Sequence, residues 1–409
     1  MKLQVRRWVF LLAGGTFLAL AMLATVIGTK PYGTPVIAQA PGGQTVSFDG
    51  ISRLIADARE RGTTLHVLWI HGMCTHGLSW AAERATLIAA ALDGTATRTG
   101  TVEETAGLMR VLYQIHTPAG DFDATFVVWS AMTQRFKRRL DFDSPDGDRA
   151  TAYPYRRATL NKELKNKLIN DCLSDVVIYG GQHGDPIRAA MKPVVCRALG
   201  GTPAAGQLCD FAGADLDRPL AVVAESLGGK ILFDAARVIY EEMRPVPRAS
   251  SAIAHRLASV QTIYLLANPI PLLDIASPLM SPLDGDMRDE DAPYASCLSQ
   301  MIEMMHAARS TLPPDDRSRG DAAPTVVVFT DPNDVVSYRL VPSVQNLARA
   351  RLIDVIGSNA TTWFGYIERP DNAHCGYKWN HTVIGLIALG YKVGEPAPRA
   401  PIVGSHECP

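Results

Sequence analysis

The sequence predicts an α/β fold: a mostly parallel central sheet with helices on both faces, a helical cap insertion and a hydrophobic N-terminal segment. Three observations predict it. Six runs rich in Val, Ile and Leu recur without polar alternation, as strands buried on both faces require. Helix-like stretches separate most of them, the pattern of parallel strands joined by crossovers. The composition, 47% hydrophobic and 20% charged with formal net charge −1, belongs to a globular chain rather than a disordered or collagen-like one. That charge balance also leaves no electrostatic footprint for nucleic acid. The basic stretch "RFKRRL" (Arg135 to Leu140) reads as a solvated helix face.

Residues 1–30 stand apart. Lys2, Arg6 and Arg7 precede an uncharged, mostly apolar run at residues 8–28. At about 1.5 Å per residue, that run spans a hydrocarbon core of about 30 Å. It is either an uncleaved membrane anchor or a long signal peptide, and its length favours the anchor. "AQA" at Ala38 to Ala40 resembles a cleavage site but lies far from the run, and "ALA" at Ala19 to Ala21 lies inside it. Either alternative exports the remainder, tethered to the inner membrane and facing the periplasm or outside, or secreted.

Residues 31–63 read as a linker and an amphipathic helix, "SFDGISRLIADARERG", with Asp49 as a candidate cap. Residues 64–392 carry the α/β pattern, and 393–409 form a tail. The strand candidates are Thr64 to Ile70, Ala124 to Ser130, Pro219 to Glu225, Gln261 to Asn268, Thr325 to Thr330 and Leu352 to Gly357. "LSWAAERATLIAAAL" reads as the helix after the first. Crossovers of one hand put the C-terminal ends of the parallel strands on one edge, where ligands bind in open α/β sheets. An insertion at about 131–218 holds the helix candidate "RATLNKELKNKLINDCL", the apolar stretch "DVVIYGG" and a further helix, "DPIRAAMKPVVCRAL". Asp185 is a candidate cap for the last, with Pro186 at the first helical position. The insertion is read as a cap over the active edge, with peripheral helices as the alternative.

There are seven cysteines. Export permits disulfides, and an odd number leaves a thiol over in the monomer. Cys196 and Cys209 flank a Gly/Ala/Pro loop suited to a staple. No cysteine or histidine spacing matches a zinc site, so no metal is expected.

The stretch "LAVVAESLGGKILF" carries the chemistry. Ser226 sits between an apolar strand and an apolar helix, ringed by Ala224, Gly228 and Gly229. A sharp strand-to-helix turn strains the serine backbone, leaves room only for small neighbours and lifts the hydroxyl clear of the sheet. It also aims a helix N-terminus at the place where negative charge develops. The competing interpretation is a serine that merely caps the helix.

The A-E-S-L-G-G turn, with Ala224 in place of the first glycine of G-x-S-x-G, and the strand ending in His71-Gly72 resemble the α/β-hydrolase superfamily over roughly residues 64–392. That resemblance implies the chain order serine, acid, histidine and an oxyanion hole partly from the loop after the early strand. The implied donors are the N–H groups of Leu227 and Met73, with Gly72 allowing close approach and His71 holding the loop. Such donors are worth about 3–4 kcal/mol each. The acid follows a late strand in "TVVVFTDPNDVVSYRL": Asp334 is favoured, with Asp331 as the alternative. The base comes last, in "NAHCGYKWNHTVIGLIALG": His374 in a loop is favoured, and His381, in the first turn of a helix capped by Asn380, is the alternative. Cys74 and Cys375 fall beside these turns, and are read as small buried hydrophobes before a disulfide or a free thiol.

The function expected is therefore a serine hydrolase of ester, thioester or amide bonds, acting through an acyl-enzyme on a small-molecule or lipid-like substrate. No cofactor is needed. A non-catalytic scaffold of the same fold is the alternative, and Ser226 argues against relatives whose nucleophile is a carboxylate.

Overall fold

Alternate side chains of a strand point to opposite faces, so a run that is apolar at every position must be covered on both sides. The computed structural model obeys this. It describes residues 27–40, 43–143, 156–204, 209–275, 296–311, 323–340, 349–363 and 367–401. Among them, nine strands form the main sheet: β1 (Val36–Gln39), β2 (Leu65–Ile70), β3 (Thr95–Thr105), β4 (Leu108–Thr117), β5 (Gly120–Val128), β6 (Leu220–Glu225), β7 (Val260–Leu266), β8 (Thr325–Thr330) and β9 (Arg351–Ile356). Their spatial order is β1-β9-β8-β7-β6-β2-β5-β4-β3. The six from β9 to β5 in that order run parallel, and β1, β4 and β3 pair antiparallel at the two sides. All six strand candidates are the parallel strands.

Two cores result. Leu68, Ile70, Val222, Ile263 and Val328 face one way, toward α4 (Gly184–Ala198), α5 (Leu227–Met243), α6 (Pro247–Ala258) and α7 (Cys297–Thr311). Val67, Trp69, Val223, Tyr264 and Phe329 face the other, toward α1 (Ile51–Glu60), α2 (Leu78–Ala91) and α9 (His381–Leu389).

Several expectations change. The segment read as a linker supplies β1, which pairs with β9 from Val36↔Ile356 to Gln39↔Ile353. Asp49 does not cap α1: Gly50 holds that position, and Asp49 accepts from the Tyr264 hydroxyl through its carbonyl, at 2.9 Å. Asp185 lies inside the first turn of α4, after His183, and pairs with Arg188. "DVVIYGG" is helical: Thr159–Glu163, Leu164–Leu173 and Ser174–Gly180 run on as one insertion helix, π-wound in the middle. The "RFKRRL" stretch is not wholly solvated, because Lys137, at the end of α3 (Ala131–Lys137), is buried against Asp171 and Asp175 of that helix. Residues 8–26 of the apolar N-terminal run lie outside the described residues; its end, Ile27–Thr29, pairs antiparallel with Thr362–Trp363. No described helix is long and apolar enough to cross a membrane.

Candidate active site

Ser226 follows β6 at the C-terminal edge of the sheet and adopts φ 48°, ψ −127°. A side chain at that positive φ costs about 1–3 kcal/mol and persists only where its surroundings hold it. The Ser226 N–H is tied to the Leu266 carbonyl at 2.8 Å, and its own carbonyl accepts from Gly229 N–H at 3.1 Å. The side chain does not cap α5. Ser226 Oγ is buried and hydrogen-bonded to no protein group. Helix-capping therefore does not explain this serine.

The small neighbours have separate reasons. A Cβ on Gly228 would meet the His71 carbonyl oxygen at 2.4 Å, so the first turn of α5 rests on the end of β2. A Cβ on Gly72 would meet Ser226 Cβ at 2.6 Å and the Glu225 carbonyl at 2.7 Å, so the two turns touch backbone to backbone. Ala224 lies beneath Gly229, where an added Cβ would stand 3.7 Å away in ordinary contact. The crowding at Gly228 thus comes from His71 and not, as the pentapeptide suggests, from Ala224.

His374 lies in the short helix α8 (Pro370–Cys375) rather than in a loop. Its Nδ1 sits 3.0 and 2.9 Å from the two Asp334 oxygens. Asp334 is buried and also accepts from the Tyr377 hydroxyl at 3.2 Å and Val336 N–H at 3.2 Å. Burial alone lowers the imidazole; the charge and hydrogen bond of Asp334 outweigh it and hold His374 above its ordinary value. With Nδ1 committed to the carboxylate, Nε2 is the ring's proton acceptor. Asp331 instead stabilises turns, accepting from Asn333 N–H at 2.9 Å and Asn359 N–H at 2.5 Å. His381 faces the C-terminal tail, at 3.1 Å from the Ala400 carbonyl. These two alternatives are not brought to Ser226.

Gly72, Met73, Ser226 and His374 line one cavity of about 30 Å³. It has room for about one or two waters. A far larger cavity of about 480 Å³ lies at the opposite strand ends, around Thr63, Pro219 and Thr325, and holds none of these groups. Leu227 opens α5, and the first N–H groups of a helix lack intrahelical partners.

His71 braces the turn beside Ser226. The Trp129 N–H donates to its Nε2 at 2.9 Å, which puts the ring proton on Nδ1, 2.7 Å from the Gly72 carbonyl. Burial pulls this imidazole down to about 3, so it stays neutral. The sequence did not reveal Glu225, His76, Tyr377 and Lys378, which line or flank the cavity. Glu225 accepts from Trp69 Nε1 at 2.9 Å and lies 3.2 Å from Nε of the fully buried Arg84. Arg84 also donates to the Lys378 carbonyl at 3.3 Å and so joins the serine turn to the histidine segment. Glu225 adjoins the serine in sequence, which was the available signal; Arg84 left none. Cys74 is not a small hydrophobe but is bonded to Cys172, and Cys196 pairs with Cys209.

Comparison with protein-family models, with curated proteins and with solved structures finds no match to this chain.

Proposed function

We propose that this protein is a serine hydrolase of the α/β-hydrolase type, cleaving an ester, or a thioester or amide, with Ser226 as nucleophile, His374 as base and Asp334 as its orienting acid. One observation carries the proposal: a strained serine at the strand-to-helix turn shares a cavity with a histidine whose Nδ1 is held by a buried carboxylate. In the reaction Ser226 Oγ bonds to the carbonyl carbon and passes its proton to His374 Nε2. The N–H groups of Met73 and Leu227 take the oxyanion. Collapse breaks the bond to the leaving group, which receives the proton from His374. Water then attacks the acyl-serine and gives its proton to the same nitrogen, which passes it to Ser226 Oγ as the acyl bond breaks, releasing a carboxylic acid and the free Ser226 hydroxyl.

Two disulfides support an oxidising compartment, and with it export of the chain. Cutting after Ala40 would remove β1 and bare the edge of β9, which favours a chain uncut at that point, with a membrane tether in the apolar run ahead of the strand at Ile27. A substrate held in or near that membrane fits such a tether. The buried, unbonded Ser226 Oγ favours a second reading, a binding scaffold without activity. A fluorophosphonate probe separates the two: labelling of the wild type that vanishes in Ser226→Ala is expected, and a folded wild type that stays unlabelled means the scaffold.

A further inference from the structure

The turn that follows Gly72 is not held by the sheet alone. Cys74 has φ 78°, left-handed for a residue with a Cβ, a conformation costing about 1–3 kcal/mol that needs outside support. Its support comes from about 100 residues downstream. The Cys74 N–H donates to Asp175 Oδ2 at 2.9 Å, and Cys74 Sγ is bonded to Cys172. The next N–H, of Thr75, donates to Asp171 Oδ2 at 3.0 Å, and the Thr75 hydroxyl donates to the same carboxylate. Lys137 Nζ bridges the two carboxylates, at 3.0 Å from Asp171 and 2.8 Å from Asp175. From the other side, Ser130 Oγ donates to the Cys74 carbonyl at 3.1 Å.

Three of these groups, Asp171, Cys172 and Asp175, lie on consecutive turns of the insertion helix. Taking a lysine and a carboxylate out of water costs several kcal/mol before they attract each other. Burial also lifts the Asp175 carboxyl, to about 6, against the pull of Lys137. So costly an arrangement under one turn is hard to explain as packing, since an apolar contact fills such space more cheaply.

We propose that Asp171, Cys172 and Asp175 are positioning residues: they clamp Cys74 in its left-handed conformation and thereby aim the preceding N–H, that of Met73, at the oxyanion. This rests on the hydrolase reading. This stretch of the insertion helix is then a fixed part of the site.

The test starts with fluorophosphonate labelling of the wild-type full chain. No labelling there sinks the hydrolase reading and leaves the clamp without an oxyanion to serve. Given labelling, Cys172→Ala and Asp175→Asn are assayed on a p-nitrophenyl ester and titrated with an aryl boronic acid, whose tetrahedral serine adduct puts an oxygen where the oxyanion forms. A fall in kcat of about 10²-fold is expected, the scale of losing one oxyanion donor. KM changes little, the boronic acid binds weaker in proportion, and the pH midpoint of the base stays put. Removing the other disulfide with Cys196→Ala and Cys209→Ala leaves kcat as in the wild type. Should Cys172→Ala fail to fold, Asp171→Asn and Asp175→Asn decide. Wild-type kcat and boronate affinity in the folded variants overturn the clamp.

Discussion

Under the proposed mechanism, His374 and Asp334 set how the reaction should respond to pH. The groups around the ring are Asp334, Glu225 and Cys375, with the Tyr377 phenol on Asp334 pushed well above its ordinary value by burial and so a donor throughout. A base works only when neutral, and His374 is held above the ordinary 6.5. The rate should therefore rise with pH, with a midpoint above 6.5 in the kcat/KM profile. Asp334→Asn should move that midpoint down and lower kcat by about 10⁴-fold, as loss of the orienting carboxylate does in serine triads. A midpoint unmoved by Asp334→Asn would mean that another group sets it. Ser226, Asp334 and His374 were legible because their neighbours are constrained: small residues about a turn, Asp-x-x-Asp after an apolar strand, a histidine before a capped helix. Their mutual contacts were not, because a 3 Å approach between residues 40 apart in the chain, like His374 and Asp334, leaves no local pattern. Asp331 and Asp334 look alike in sequence; only the direction of each carboxylate separates turn from site.

Among the elements, the six parallel strands were legible because burial on both faces writes an unbroken apolar run. The β3–β4 hairpin was not. Strand β3, "TATRTGTVEET", lies at the edge with most of its residues exposed, so neither alternation nor an apolar run marks it. Strand β1 escaped for a related reason: four residues at a sheet edge carry too little pattern. The clamp on Cys74 depends on which turn the insertion helix covers, and helix periodicity is silent on that. The contact between α5 and β2 carries its own prediction. Gly228→Ala drives a Cβ to within 2.4 Å of the His71 carbonyl, so α5 must shift, at about 1–3 kcal/mol in urea unfolding. Gly229→Ala meets its nearest atoms at 3.6 Å or more and should be neutral or stabilising by up to about 1 kcal/mol. Equal losses in the two variants would contradict this packing.

For the whole molecule, the layers are pinned by buried polar groups as well as by apolar cores, and this makes stability depend on pH. His66, on β2, lies 3.0 Å from Thr125 Oγ1 on β5 and 3.1 Å from the carbonyl of Ala198, the last residue of α4. Burial first, then the positive charges of Arg218, Arg256 and Arg110, pull this imidazole down from 6.5 to about 3. The unfolded chain takes up a proton on His66 below 6.5, whereas the folded chain refuses it until about 3. Unfolding therefore binds a proton across that window, and stability contributed at neutral pH is lost as pH falls through it. The loss by pH 5 is on the order of 2 kcal/mol for this one group. Asp175 works in the opposite sense, since its folded value is raised to about 6 and its contribution is lost as pH rises. The net slope mixes the two, so the informative quantity is a difference between proteins. His66→Gln keeps a side chain able to donate and accept but removes the titration. Unfolding free energies in urea at pH 7.5 and pH 5 should fall by about 2 kcal/mol more in the wild type than in His66→Gln. Parallel slopes would mean that His66 is protonated in the folded chain, and that the junction of β2, β5 and α4 is open to water.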